Sequence, residues 1–171
     1  MAGYVIHLAV GKAYIKNNSD VKDIDKFLEG TIMPDMLEKP QSHFGDDTAK
    51  PGLDAFVNSH PMSDDFNKGY FLHLITDYLF YNKYLENFEW TPDVYDDYDR
   101  LNKILMERYN IQIPDEIKSV VQFKDDELKV FNLESICQFI ETVGKINIDE
   151  LIQNRKYDSV YDKSKEDDYE K

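Results

Sequence analysis

Between Tyr4 and Lys16 the apolar residues Val5, Leu8, Ala9 and Ala13 recur at helical spacing, which predicts a first helix ended by Asn17-Asn18-Ser19. Asp23 or Asp25 caps a short second helix through Phe27 and Leu28, with Gly30 as its stop. Residues 31–52 hold three prolines and two glycines and read as a loop. A loop of that length inside a compact domain is functional or disordered, and Pro34-Asp35 and Ser42-His43-Phe44 favour function. Residues 53–59 form a short helix ending before Pro61. Ser63 then caps the strongest helix of the chain, with Asp64 and Asp65 in the first turn, where the helix dipole favours negative charge. That helix, 66–88, is apolar nearly all round, the mark of an element buried on every side, and Trp90-Thr91-Pro92 ends it. Residues 96–109 carry Tyr98, Leu101, Leu105 and Tyr109 on one stripe of an amphipathic helix. Residues 120–123 and 128–131 flank Lys124-Asp125-Asp126-Glu127 and fit either a small hairpin or two short helices. Asn132 caps 133–143, stopped by Gly144, and Asn147 caps 148–154. The expected fold is therefore all-α, a multi-helix bundle around a buried central helix.

Composition narrows the function. A chain of 171 residues with 42% hydrophobic positions has the length of one domain and enough apolar side chains for a core. We read 1–155 as a single helical domain and 156–171, almost without aliphatic residues, as a frayed polar tail. The 34 Asp and Glu outweigh the 20 Lys and Arg, and a net charge of -14 argues against nucleic acid and anionic membrane surfaces, both of which need basic patches. The single cysteine, Cys137, excludes a disulfide framework and a multi-cysteine zinc site, and its neighbours Ile136, Phe139 and Ile140 place it in the core. No window approaches the roughly 20 apolar residues of a membrane span. The start of the chain, with His7 in its apolar run and Lys12 and Lys16 close behind, does not read as a secretory signal, so a soluble cytoplasmic protein is expected.

The candidate chemistry lies in the first half. All four histidines, His7, His43, His60 and His73, fall within the first 73 residues. His73 and Asp77 are four residues apart on the most apolar helix, so they share one face, one turn apart. A carboxylate buried there costs several kcal/mol unless it meets a cation or strong hydrogen bonds. No Lys or Arg lies between Lys68 and Lys83, so the partner comes from elsewhere in the fold. A divalent metal held by imidazole and carboxylate supplies that cation directly. His7 also sits on an apolar helix, and Asp35 and His43 lie on a segment able to fold over both helices. Each residue alone has an ordinary reading: a hydrogen-bonded core His–Asp pair, a satisfied core histidine, a surface loop histidine, a turn aspartate. Their joint presence points to one metal site.

The succession IHLAVGKAY, FLEGTIMPD, SHF and GYFLHLITDYLFY, followed by DDYDRLN, resembles the zinc-dependent phospholipase C family, in its short bacterial cytoplasmic branch. The resemblance covers roughly residues 4–110 and rests on separate blocks in the same order. It implies a mostly α-helical bundle that holds zinc between helices, with a phosphoester hydrolase ancestry. On that basis His7 matches the histidine of the first helix, Asp35 the loop aspartate, His43 the histidine that follows it, and His73 and Asp77 the helical pair whose aspartate bridges metals. The chain departs from the family at two points: Met1-Ala2-Gly3-Tyr4 offers no counterpart to the amino-terminal Trp of processed members, and no histidine follows His73. A three-metal centre with the family's ligands cannot be built. One zinc fits Asp35, His43, His73 and Asp77; a second fits His7 with Asp77 as the bridge and water or another carboxylate completing it. His60 has no counterpart and is read as either substrate-facing or a capping side chain.

The implied activity is metal-dependent hydrolysis of a phosphoric ester. Zinc lowers the pKa of bound water from about 15.7 towards 7, and Asp35 or Asp77 orients or deprotonates that water. An acidic, Tyr-rich chain suits a small phosphodiester or a choline-type head group, since aromatic faces bind quaternary ammonium. Two rivals stand beside it: a non-catalytic helical protein with a structural metal, and an interaction module using a surface around Tyr95, Tyr98 and Tyr109.

Overall fold

The computed structural model describes residues 3–39, 41–45, 47–85 and 91–162. Among them are seven α-helices and no strand: α1 (Tyr4–Asn17), α2 (Ile24–Met36), α3 (Leu53–Ser59), α4 (Asp65–Leu79), α5 (Asp93–Tyr109), α6 (Leu133–Gly144) and α7 (Ile148–Asn154). Short 3-10 turns cover Gln41–His43, Asp115–Ile117 and Tyr157–Ser159. The expected all-α bundle is what forms. Four helices start where a short polar side chain accepts from the backbone three residues on: Asp23 from Lys26 (3.1 Å), Asp64 from Asn67 (3.1 Å), Asn132 from Ser135 (3.0 Å) and Asn147 from Glu150 (2.9 Å). The cap of α4 is thus Asp64, one residue after the expected Ser63. Asp65 is left to accept from the N–H groups of Lys22 (3.0 Å) and Asp23 (2.7 Å), which fastens the start of α2 to the start of α4.

The second helix corrects the sequence reading most. It runs straight through Gly30 to Met36 and carries Pro34 inside it, so residues 31–36 are helix and not loop. Gly30 is there for space. A Cβ on it would lie 2.2 Å from the carbonyl oxygen of Phe66, and one on Gly69 would lie 2.0 Å from the carbonyl oxygen of Phe27. Two glycines, one on each helix, let α2 and α4 cross backbone against backbone. Gly144 likewise lets α6 lie close to α1, where a Cβ would come within 2.4 Å of the Ala13 Cβ, and it is also the last residue of α6, the stop expected of it.

The central apolar run is α-helical through Leu79 and then widens into a π-helical turn at Phe80–Tyr84, rather than continuing as one α-helix to 88; residues 86–88 lie outside the described ones. Phe71, Leu74, Ile75, Leu79 and Phe80 are fully buried along it, so its place at the centre holds. α5 starts at Asp93 and buries Tyr98, Leu101 and Leu105, whereas Tyr95 is 55% exposed. Tyr98 is therefore core, which removes it from the surface that the interaction-module reading needed. Cys137 is buried as expected, with Arg108 donating to its Sγ at 2.8 Å.

Neither a hairpin nor two helices forms at 120–131. The segment is an irregular loop gathered around buried Asp97, which accepts from the backbone N–H groups of Lys129 (3.0 Å), Val130 (2.7 Å) and Phe131 (2.9 Å) and from Arg100 (2.8 Å). Arg100 in turn grips Asp126 through two bonds at 2.8 and 3.0 Å. Burial opposes the charge on Asp97, yet the backbone donors and Arg100 hold its carboxyl below the usual range. Its stabilising contribution is therefore complete above about pH 4, where the unfolded carboxylate is ionised, and is lost as pH falls through the lower folded value. We expect Asp97→Asn to cost about 3–5 kcal/mol at neutral pH and the gap to wild type to narrow on acidification. Urea denaturation at neutral and acidic pH checks this; a gap that ignores pH would contradict it. The segment expected to fray is docked as far as it is described: Tyr161 is fully buried, ring centroids 5.2 Å from Phe139. Residues 163–171 of that tail lie outside the described ones.

Candidate metal centre

Five side chains from four segments meet between α1, α2 and α4. α1 supplies His7, the last turn of α2 supplies Asp35, the 3-10 turn supplies His43, and α4 supplies His73 and Asp77. His73, His43 and Asp35 are braced from behind. Pro34 has no N–H, so the α2 ladder lacks the bond to the Gly30 carbonyl, one residue before the Thr31 carbonyl that faces His73. His73 Nδ1 donates to that carbonyl at 2.6 Å, which directs Nε2 at the carboxylates. His43 Nδ1 meets the Ser42 hydroxyl at 2.9 Å, and the Tyr70 hydroxyl holds the Ser42 carbonyl. The Tyr4 hydroxyl donates to the Asp35 carbonyl at 3.0 Å. Lys68, the nearest lysine on α4, pairs with Asp20 at 3.0 Å, so it is not the partner of Asp77.

The two carboxylates are shared in a regular way. Asp77 Oδ2 lies 3.1 Å from His43 Nε2 and 3.2 Å from His73 Nε2, and Asp35 Oδ1 lies 3.6 and 3.4 Å from the same two nitrogens. The other oxygens turn to His7: Asp77 Oδ1 at 3.0 Å and Asp35 Oδ2 at 4.0 Å from its Nε2. One atom each from Asp35, His43, His73 and Asp77 falls within 4.8 Å of all the others, close enough to hold one ion. The His7 ring stacks on that of His73 with centroids 3.6 Å apart. The five side chains are 0–1% exposed.

Charge in the cluster is balanced among its own side chains. Burial works against a proton on His73, but Asp35 and Asp77 outweigh it and raise the imidazole to about 10. Burial would likewise raise both aspartates, and the His73 charge instead holds them below the usual range. Burial and the neighbouring His73 cation lower His7, so a neutral ring stacks on a charged one. Lys39 adds a second cation, its Nζ 3.1 Å from Asp35 Oδ1.

These residues fit a divalent ion. His7 Nε2, His73 Nε2, both Asp35 oxygens and Asp77 Oδ1 are buried with no hydrogen-bond partner, although each points at the others. Buried polar atoms are seldom left so. Imidazole nitrogens and carboxylate oxygens are the donors zinc takes, and the Nδ1 atoms of His43 and His73 carry the backing bonds that such ligands need. His60 is elsewhere: it ends α3, meets the Ser59 hydroxyl at 2.8 Å and stacks on Phe56 at 4.3 Å. It sits at the C-cap position of α3, in an aromatic stack that continues to Tyr70. Sequence reading missed Lys39, and it missed that the Tyr98 hydroxyl is buried without a partner while burial and the charges of Asp77 and Asp35 raise its pKa. No protein-family model, curated protein or solved structure matches this chain, so what it establishes by itself is an all-helical fold with a buried His/Asp cluster that could hold a metal.

Proposed function

We propose that the protein is a zinc-dependent phosphoester hydrolase of the phospholipase C type, whose metal would be held by Asp35, His43, His73 and Asp77 with His7 alongside. The observation that carries this reading is the division of carboxylate oxygens. Asp35 Oδ1 and Asp77 Oδ2 join His43 and His73 in a four-donor set, while Asp35 Oδ2 and Asp77 Oδ1 join His7 in a set of three. Four protein donors make a closed zinc site and three leave a position open, so the first set suits structure and the second suits chemistry. When bound, zinc supplies Lewis acidity and an acidified water. The chain supplies the rest. Asp35, whose Oδ2 has no hydrogen-bond partner, would orient that water beside the ion. Asp77 fixes the spacing of the two sets, and the His73–Thr31 bond holds the imidazole in register. The sealed surroundings favour a small substrate, in keeping with a net charge of -14 that repels polyanions.

A second reading, a purely structural ion in the four-donor set, is favoured by the complete burial of those side chains. Elemental analysis of zinc-dialysed protein and hydrolysis of bis(p-nitrophenyl) phosphate separate the two. We expect about two zinc ions per chain, falling to about one in His7→Ala, with activity lost about 100-fold or more in the variant. Full metal content without hydrolysis in the wild type would leave the structural ion as the better account.

A further inference from the structure

Lys39 belongs to the cluster and to the surface at once. Its Nζ lies 3.1 Å from Asp35 Oδ1 while its side chain is 30% exposed, and the imidazoles and carboxylates around that oxygen are sealed. Among the described residues no other lysine or arginine forms an ion pair with Asp35 or Asp77. The oxygen it holds is the one that also faces His43 Nε2 and His73 Nε2, at 3.6 and 3.4 Å. An ammonium and a divalent ion therefore claim the same atom. Zinc–oxygen bonds are about 2.0–2.2 Å, so an ion seated there would face Lys39 across a single carboxylate oxygen, in surroundings where water screens little. The lysine has somewhere to go, because its stem is long and flexible and its side chain already reaches solvent.

We propose that Lys39 is the counter-ion of the metal-free cluster, gives way when the metal binds, and then serves as the anion-binding residue of the loaded site, its recognised group being a phosphoryl oxyanion. This deepens the hydrolase reading and rests on it. An ammonium at the edge of a metal site has three donors and a full charge to set against the non-bridging oxygens of a phosphate group, and hydrogen bonds of that charged kind are the strong ones. It also explains how a strongly acidic chain accepts an anion: the attraction is local, beside the metal, and not a property of the surface.

The test uses the full chain as wild type, Lys39→Gln and Lys39→Arg. Zinc affinity is read by competition with a chromophoric chelator, and binding of inorganic phosphate and of dimethyl phosphate to the zinc-loaded proteins by calorimetry. Lys39→Gln should bind zinc about 3- to 10-fold more tightly, since a competing cation is gone, yet bind phosphate about 10-fold more weakly. Lys39→Arg should keep the phosphate affinity. Loss for both ligands identifies a phosphodiester site, and loss for inorganic phosphate alone identifies a site for the free ion or a monoester; either supports the assignment. Zinc uptake with phosphate binding indifferent to Lys39, or absent from all three proteins, overturns it while leaving the metal reading intact. A wild type that takes up no zinc overturns both.

Discussion

Asp77→Asn lowers the melting temperature of the zinc-loaded protein by on the order of 10 °C, the expected result of removing the anion on which three imidazoles converge. The variant keeps the side-chain volume, so the loss is electrostatic: no bridging charge for a metal, and an imidazolium at His73 with half its compensation. His73→Ala removes a ligand and opens a small cavity, with a similar fall. The informative comparison is with chelator. A metal that binds only the folded protein adds stability, about 2.7 kcal/mol at a hundredfold excess over its dissociation constant, and chelation withdraws it. The difference between wild type and either variant should therefore shrink in chelator. A simple His–Asp hydrogen bond predicts the opposite, a wild type indifferent to chelator with variants equally destabilised. Thermal shifts on three proteins in two buffers separate them.

Gly69→Ala is expected to damage fold and site together. The added Cβ would lie 2.0 Å from the Phe27 carbonyl oxygen and 3.1 Å from the Thr31 nitrogen, both backbone atoms that cannot rotate away. The helices must separate, at a cost of about 3 kcal/mol at the high end of overpacking. The same crossing sets the distance between Asp35 on α2 and His73 and Asp77 on α4, and the 2.6 Å bond from His73 to the Thr31 carbonyl spans it. Zinc affinity should fall in step with stability. Unfolding in urea alongside a zinc titration checks it, and a variant that loses stability but binds zinc as tightly as wild type would show that the crossing does not govern the site.

The residues of the cluster were legible because their types and spacing carry their own physics: a carboxylate in an apolar helix demands a partner wherever the helix ends up. The bounds of α2 were not. Gly30 in sequence looks like a helix stop, and only the presence of Gly69 on another helix shows that it is a point of contact. Lys39 was missed for another reason: it lies beyond Met36, where α2 ends, and only the irregular turn after the helix brings its Nζ to 3.1 Å from Asp35 Oδ1. At Gly144 the two roles coincide: it ends α6 as expected and also lies against Ala13, at the far end of the sequence. The loop at 120–131 was open between two readings because its order comes from Asp97, a buried carboxylate on α5 whose backbone partners no local pattern announces. Caps were read well at Asn132 and Asn147, where cap and recipient are three residues apart.

A chain with one cysteine, itself buried, has no means of stapling itself with an internal disulfide. The cluster of His7, Asp35, His43, His73 and Asp77 takes that place, tying together four segments that are distant along the chain. An ion held there acts as a cross-link: it penalises the open chain, which would have to surrender either the ion or much of its conformational freedom. Unlike a sulfur bridge, this one is indifferent to reducing agents. Its solvents are acid, since protons compete with a metal for such donors, and chelators, which remove the ion.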